Sequence, residues 1–243
     1  MAFLKIENLT KKFGGLIANS DISIEILQGE IVGIIGPNGA GKSTFFATVS
    51  GFYKPDGGAI IFRDEEIGGK PPETICQLGI ARTFQIVRPL GLLSVLDNIL
   101  VGAFLRDKNR KTAREKAEAI MEFTGLKNLR DKLSNSLTIA DKKRLELARA
   151  IATQPELLML DEVMAGLTPK ETQEAVELIK KINRAGITLL VVEHVMEVVM
   201  PISHRIMVLD GGKKIAEGTP EEVANNEDVI KAYLGEKYNA ASF

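Results

Sequence analysis

The chain has 243 residues, a formal net charge of -1 at pH 7 and a charged-residue content of 26%. This length can bury the core of one large domain or of two lobes. A nearly neutral charge balance disfavours a wide nucleic-acid interface, because such binding depends on many Lys and Arg side chains that neutralise phosphates. A single cysteine, Cys76, excludes an internal disulfide. No long apolar run occurs, so we expect a cytoplasmic protein that does not itself cross a membrane.

Short segments near the N-terminus alternate apolar and polar side chains, as half-buried strands do. They cover residues 3–7, 22–26 and 59–62 and predict a small antiparallel sheet. Phe13 follows the first segment in a predicted turn, where its ring could stack on a purine. From this residue alone, a phenylalanine of the core or of a hydrophobic staple is the favoured alternative.

Residues 36–44 read Gly-Pro-Asn-Gly-Ala-Gly-Lys-Ser-Thr and lie between an apolar run at 31–35 and a helical pattern that starts near Ser43. This is the strand, loop and helix context of a phosphate-binding loop, in which glycines let backbone N–H groups form an anion-binding nest. We expect Lys42 to reach the outer phosphates of a nucleotide triphosphate and Ser43 to bind Mg²⁺. A glycine-rich turn without a ligand is the alternative. The predicted nucleotide-binding residues of the loop are Asn38, Gly39, Ala40, Gly41, Lys42, Ser43 and Thr44.

The region from Pro71 to about Thr153 has a mainly helical pattern. Ser94 is a predicted N-cap for a helix over 95–104, and a charged stretch leads into another helix over 117–123. No repeat or low-complexity linker divides the chain. We therefore predict a helical lobe inserted between two parts of one nucleotide-binding core.

Short apolar strands and helices alternate after the helical region, with a predicted helix over 169–184 and a predicted strand over 188–192. This alternation predicts a parallel sheet covered on both faces. Active groups then lie at the carboxyl ends of the strands. Asp161 ends the apolar run that starts at Leu157 and is placed to hold Mg²⁺, while Glu162 can orient or deprotonate an attacking water. Two carboxylates in the first turn of a helix are the alternative.

In their order and spacing, these pieces resemble the ATPase subunit of ATP-binding-cassette (ABC) transporters over nearly the whole chain. The resemblance implies an α/β fold: a P-loop NTPase core with a mostly parallel sheet, a small antiparallel β-subdomain and the inserted helical lobe. Residues 1–243 would form a single ABC ATPase domain, with the core at 1–70 and 154–243 and the lobe with its signature segment at 71–153.

The resemblance also implies roles for individual residues. Phe13 matches the adenine-stacking aromatic residue, 36–44 the Walker A loop, and Gln85 the Q-loop glutamine that contacts the metal or water. Glu162 matches the catalytic glutamate and His194 the switch histidine. Taken singly, Gln85 could be a surface amide and His194 a capping residue. The implied catalytic residues are Lys42, Gln85, Glu162 and His194, the implied Mg²⁺ ligands are Ser43, Gln85 and Asp161, and the implied nucleotide is ATP.

The signature segment departs from the family's usual Leu-Ser-Gly-Gly-Gln. Here the aligned residues 137–141 read Leu-Thr-Ile-Ala-Asp, so that Ala140 replaces the second glycine and Asp141 replaces the glutamine. Thr138 and Asp141 still predict a capped helix start, at which Thr138 and Ala140 would face the ATP of a partner subunit. Ala140 resists a positive φ, and Asp141 would repel a phosphate unless it folds back onto its cap.

A second departure follows Glu162. Val163 stands in place of the usual proline, and Thr168 replaces the usual aspartate of the D-loop. Both departures concern the surface that is expected to face a partner ATPase.

The resemblance implies two protein partners and no nucleic acid. A second ABC ATPase would pair head to tail with this chain, as a homodimer or a heterodimer. A polytopic membrane permease would dock on the helical lobe near Gln85 and hold the ATPase on the inner face of the cell membrane. The solute is left open, because permease and binding-protein subunits select it.

Three segments narrow the resemblance to the ATPases of branched-chain amino acid importers, namely 82–85, 193–194 and 229–235. The implied function is ATP hydrolysis that powers import of branched-chain amino acids or a similar small polar solute. A lipopolysaccharide-export-type ABC ATPase and a soluble ABC ATPase acting on nucleic acid or ribosomes are alternatives. A GTPase or small-molecule kinase would share only the phosphate loop.

Overall fold

The computed structural model describes residues 2–234, and the chain divides into two compact units. The first unit contains the residues up to Pro72 and those from Thr188 onward, and the second contains Glu73–Ile187. The elements in chain order are β1 (Leu4–Phe13), β2 (Leu16–Ile26), β3 (Ile31–Ile35), α1 (Lys42–Val49), β4 (Gly57–Phe62), β5 (Glu65–Glu66), α2 (Pro72–Leu78), β6 (Ile80–Arg82), α3 (Val95–Ala103), α4 (Arg110–Phe123), α5 (Ile139–Ala152), β7 (Leu157–Asp161), α6 (Pro169–Arg184), β8 (Thr188–Val192), α7 (Met196–Ile202), β9 (Arg205–Asp210), β10 (Lys213–Gly218), α8 (Pro220–Ala224) and α9 (Glu227–Leu234).

The first unit contains the antiparallel sheet that the sequence predicts, with strand order β2-β1-β4-β5. Ile6 of β1 pairs with Ile24 on one side and Ile60 on the other, and all three side chains are buried. The alternating pattern therefore puts one face of this sheet in the core. β1 is longer than predicted, because Phe13 is its last residue and pairs with Leu16 across a tight turn.

A second sheet in the first unit has the order β10-β9-β3-β8. β3 is parallel to both β8 and β9, and β10 is antiparallel to β9. Every residue of β3 and β8 is buried, as expected for strands covered on both faces. Ile34 pairs with Val192, so the carboxyl ends of β3 and β8 lie side by side.

The second unit combines a short parallel strand pair with a helical cluster. Ile80 of β6 pairs with Leu157 of β7. Helices α3, α4 and α5 bury a common apolar cluster, which contains Val95, Leu96, Ile99, Ala103, Ala113, Ala117, Met121, Leu126, Leu137, Leu145, Ala148 and Ala152. Ser94 caps α3 by accepting a hydrogen bond from the N–H of Asp97, as predicted.

These elements confirm the predicted α/β class with parallel and antiparallel sheets. The division into a nucleotide-binding core and a helical lobe stays a prediction. The compact units group β7 and α6 with the helices of the second unit, whereas the sequence analysis assigns residues 154–243 to the core. Among the described residues, no helix has the length and apolar character that a bilayer span requires.

Candidate active site

The loop of residues 36–44 follows β3 directly and ends in the first turn of α1. Gly36 and Gly41 have φ values of 150° and 98°, a region that favours glycine. A Cβ atom at Gly36 would lie 2.1 Å from the carbonyl oxygen of Leu209, and one at Gly41 would lie 2.4 Å from that of Ala18. The surrounding backbone therefore requires glycine at both positions.

Distant parts of the first unit hold this loop in place. Asn19 of β2 is fully buried and donates from Nδ2 to the carbonyl oxygen of Gly41 over 3.1 Å. The N–H of Gly212 donates to the carbonyl oxygen of Ala40 over 3.1 Å. Neither support was predicted from the sequence, because each joins residues that are far apart in the chain.

Lys42 is the first residue of α1 and is 7% exposed. Its Nζ donates to the carbonyl oxygens of Gly36 over 2.6 Å and Pro37 over 2.9 Å. The ammonium group is therefore held against the loop that the sequence predicts as a phosphate cradle. The positive end of the helix dipole and this cation together favour an anion at the start of α1.

Tyr233 on α9 also contacts the loop. Its hydroxyl is hydrogen-bonded by the backbone of Gly36, and burial raises the pKa of the phenol to about 12. Tyr233 is thus a neutral hydrogen-bonding group at the beginning of the loop. From the sequence, the segment 229–235 contributes only a family resemblance, and its last residue, Gly235, lies outside the described residues.

Phe13 presents a partly exposed ring rather than a core side chain, with 41% of its surface accessible. Tyr53 packs edge-to-face against it, with ring centroids 5.0 Å apart and planes inclined at 79°. The Nζ atom of Lys11 lies 5.4 Å from the ring centroid. The core alternative for Phe13 is therefore wrong, and the exposed ring remains available for stacking.

His194 lies just beyond the carboxyl end of β8 and is exposed. Because β3 and β8 are parallel neighbours, the end of β8 lies beside the strand that leads into the loop at 36–44. The first unit thus places Lys42 at the end of the loop and His194 beside the strand that leads into it.

The second unit brings together two of the predicted catalytic residues. Gln85 donates from Nε2 to Oε2 of Glu162 over 2.6 Å. Glu162 has a φ of 48°, in the left-handed region, which costs a non-glycine residue on the order of 1 kcal/mol. Lys143 of α5 stabilises this backbone by donating to the carbonyl oxygens of Glu162 over 3.3 Å and Ala165 over 2.6 Å.

Asp161 has a partner that the sequence analysis missed. Its Oδ2 atom accepts a hydrogen bond from Nη2 of Arg82 over 2.7 Å, and Asp161 is only 3% exposed. The backbone N–H of Asp161 donates to the Thr83 hydroxyl over 3.1 Å. The only sequence signal was the resemblance of segment 82–85, which gave no reason to pair Arg82 with Asp161.

The signature segment starts α5 with the predicted cap. Thr138 accepts a hydrogen bond from the N–H of Asp141 over 3.1 Å and donates its hydroxyl to Oδ2 of Asp141 over 2.9 Å. Nη1 of Arg144 lies 3.9 Å from Oδ1 of the same carboxylate. Asp141 therefore folds back onto its cap, while the close ion-pair partner of Arg144 is Glu174 rather than Asp141. Ala140 lies in the first turn of the helix without a positive φ, so the expected backbone conflict at this position does not arise.

The second departure has a structural role as well. Thr168 is the N-cap of α6 and forms a capping box with Glu171. A threonine thus supplies the helix cap at the position where the family usually has an aspartate.

Comparison with known proteins identifies the family. The family model described as ABC transporter matches residues 19–165, which is more than half of the chain. This chain belongs to the ABC transporter family. A second model, described as branched-chain amino acid ATP-binding cassette transporter, matches residues 213–239.

Curated relatives of this ABC protein match it over almost their full length. It is 43% identical to the high-affinity branched-chain amino acid transport ATP-binding protein LivG of Escherichia coli K12, over 96% of this chain and 98% of the relative. It is 34% identical to the lipopolysaccharide export system ATP-binding protein LptB of Haemophilus influenzae, over 98% and 99% of the two chains.

Solved ABC cassettes share the fold of this chain. An ATP-binding cassette in its ADP conformation superposes with a TM-score of 0.88 at 32% identity, covering 97% of this chain and 100% of the other. A dimeric cassette bound to ADP and Pi has a TM-score of 0.81 at 25% identity, covering 89% and 98%. The chain is therefore an ATP-binding cassette, an ATPase of the type that hydrolyses ATP to power transport.

The donor set of this ABC ATPase fits Mg²⁺ in its chemistry. Among residues 2–234, no group of three or more His, Cys, Asp or Glu side chains could hold a metal on its own. The predicted ligands are the hydroxyl of Ser43, the amide of Gln85 and the carboxylate of Asp161, which all offer oxygen. Such a sparse oxygen set suits a cation that takes its other ligands from phosphates and water.

Proposed function

We propose that this ABC ATPase is the ATP-hydrolysing subunit of an importer for branched-chain amino acids or a similar small polar solute. The identity of 43% to LivG over almost the whole of both chains supports this, as does the C-terminal match at 213–239. The lower identity of 34% to LptB makes the lipopolysaccharide-export alternative the weaker one.

The phosphate loop would bind the triphosphate of ATP. Backbone N–H groups of residues 38–44 would surround the phosphates, and Lys42 would exchange its contacts with the carbonyl oxygens of the loop for contacts with the outer phosphates. Phe13 would stack on the adenine with the ring face that Tyr53 leaves accessible.

The contact between Gln85 and Glu162 is the observation that carries the hydrolytic assignment. Glu162 would orient and deprotonate the attacking water, and the amide of Gln85 would fix the orientation of the carboxylate. His194 would donate a hydrogen bond to the γ-phosphate or to the water. When bound, Mg²⁺ would neutralise charge on the phosphates, with Ser43, Gln85 and Asp161 as its ligands.

Two substitutions separate binding from chemistry. Lys42→Ala should weaken ATP binding, whereas Glu162→Gln should retain binding and lower turnover by about 10²-fold or more. Equilibrium ATP titration and a phosphate-release assay measure the two effects. Glu115→Gln, a change at an exposed position of α4, is the control and should alter neither. Unchanged hydrolysis in Glu162→Gln would remove Glu162 from the catalytic set.

A second ABC ATPase is the proposed partner across the nucleotide. In a head-to-tail pair, Thr138 and Ala140 of one subunit would face the ATP bound by the other. The dimeric relative bound to ADP and Pi supports such a pair. The cap geometry of Asp141, whose carboxylate folds back onto Thr138, supports a signature segment that tolerates a phosphate, in a homodimer or a heterodimer.

A membrane permease is the proposed second partner. Large apolar side chains between residues 84 and 105 are exposed by 36% to 85%, namely Phe84, Ile86, Leu90, Leu92, Leu93, Val101, Phe104 and Leu105. A role in the core cannot account for Leu92, which is 85% exposed. A helix of the permease that lies on this surface near Gln85 would bury these side chains and hold the ATPase on the cytoplasmic face of the membrane.

Complementation tests the proposed solute. A bacterial strain that lacks its LivG-type ATPase should regain leucine uptake when this chain is supplied, and should not regain it with Glu162→Gln. Co-purification of the chain with the host permease is measured in parallel. An active ATPase that joins the permease without restoring uptake would argue against branched-chain amino acids as the solute.

A further inference from the structure

The side chains of Glu146 and Arg149 join the signature helix α5 to the segment around Gln85. Oε1 of Glu146 accepts a hydrogen bond from the backbone N–H of Phe84, the residue before Gln85, over 2.8 Å. Arg149 donates from Nη1 to the carbonyl oxygen of Arg88 over 3.2 Å. The backbone on both sides of Gln85 is therefore held by one helix.

The same side of α5 holds the other member of the catalytic pair. Lys143 lies three residues before Glu146 and donates to the carbonyl oxygens of Glu162 and Ala165. Residues spaced by three on a helix are neighbours on its surface. One side of α5 thus contacts the backbone next to Gln85 and the backbone of Glu162. The Nε2 atom of Gln85 and the Oε2 atom of Glu162 are 2.6 Å apart.

Glu146 is a costly residue for a purely structural role. Its carboxylate is half-buried, and burial raises its pKa to about 7, although the Phe84 amide and the positive charges of Arg149 and Lys143 oppose that rise. Asp161 is the other charged group that faces it. Both the protonated and the ionised carboxyl keep an oxygen that can accept from the Phe84 amide, so the hydrogen bond does not depend on the charge of Glu146.

We propose that Glu146 is a positioning residue for ATP hydrolysis, which holds the Phe84 amide from the signature helix and thereby sets Gln85 against Glu162. The proposal rests on the catalytic roles proposed above for Gln85 and Glu162. Because α5 begins at the signature segment, a partner's ATP bound at Thr138 would then act on the same helix that fixes this chain's own catalytic pair.

Two variants of Glu146 separate positioning from packing. Glu146→Leu keeps the side-chain bulk and removes the acceptor, whereas Glu146→Gln keeps a neutral acceptor. We expect kcat for ATP hydrolysis to fall about tenfold or more in Glu146→Leu and by less in Glu146→Gln, with KM for ATP within about twofold of wild type in both. Glu115→Leu, at an exposed site on α4, is the matched control and should keep the wild-type kcat.

Hydrogen–deuterium exchange without nucleotide gives a readout that does not depend on hydrolysis. The peptide that contains Phe84 and Gln85 should exchange faster in Glu146→Leu and should regain protection in Glu146→Gln. Wild-type kcat in Glu146→Leu, or a lowered kcat with unchanged exchange at Phe84, would overturn the proposal. If Glu146→Leu does not fold, the same two criteria apply to Glu146→Ala. Glu162→Gln is run alongside, so that a failure of the catalytic assignment is told apart from a failure at Glu146.

Discussion

Replacing Glu146 with glutamine should stabilise the fold above neutral pH. The pKa of this carboxyl is about 7 in the folded chain against an ordinary value of 4.5. The folded state therefore favours the protonated form. The stability that the protonated Glu146 carboxyl gives the folded chain is complete below pH 4.5 and is lost as the pH rises through 7. At pH 8 this pKa difference corresponds to a loss of roughly 3 kcal/mol of unfolding free energy through ionisation of Glu146. Because solvent screens the charge at this half-buried site, we expect a loss of about 1–3 kcal/mol.

Glu146→Gln carries no charge at any pH, so its gain in unfolding free energy should be largest at pH 8 and shrink to about a quarter of that value at pH 5. For a chain of this size, each kcal/mol shifts Tm by about 2–4 °C, so a rise of several degrees is expected at pH 8. Thermal unfolding of the nucleotide-free protein, followed by circular dichroism at pH 8 and at pH 5, measures the gain at each pH, with Glu115→Gln as control. Lower stability at pH 8, or an equal gain at both pH values, would refute the argument from desolvation.

Three further substitutions test the partner surfaces and the loop. Leu92→Glu should weaken co-purification with the permease while ATP affinity and the circular dichroism spectrum stay unchanged, because Leu92 is 85% exposed. Asp141→Gln should change ATP-dependent dimerisation of Glu162→Gln protein, measured by light scattering, by no more than about twofold, because the Asp141 carboxylate is folded back onto the Thr138 cap. A large gain would show that the carboxylate does repel the partner's ATP. Tyr233→Phe removes the hydroxyl that is hydrogen-bonded to Gly36. It should lower the unfolding free energy, measured by denaturation, by about 1 kcal/mol and raise the Kd for ATP, measured by titration, a few-fold. Wild-type values in both measurements would show that this bond does not support the loop.

Features that are local in the chain could be predicted from the sequence. The bounds of α6 and β8 agree with the predicted 169–184 and 188–192, since apolar periodicity marks them directly. Ser94 and Thr138 were predictable as caps, because a cap and the amide that it binds are three residues apart. The phosphate loop was predictable for the same reason, since its glycines, lysine and serine all lie within nine residues.

Long-range side-chain partners required the tertiary structure. Arg82 and Asp161 are 79 positions apart in the chain, Phe84 and Glu146 are 62 apart, and Gln85 and Glu162 are 77 apart. Periodicity and capping patterns determine which segment becomes a helix or a strand, but they do not specify which side chain of one element meets the backbone of another. The sequence therefore determined the family, the nucleotide loop and the identity of the catalytic residues that we propose. Only the packing of α5 beside β6 and the segment that follows β7 decided that Lys143 and Glu146 hold the backbone of that catalytic pair, because these contacts form only after distant segments have come together.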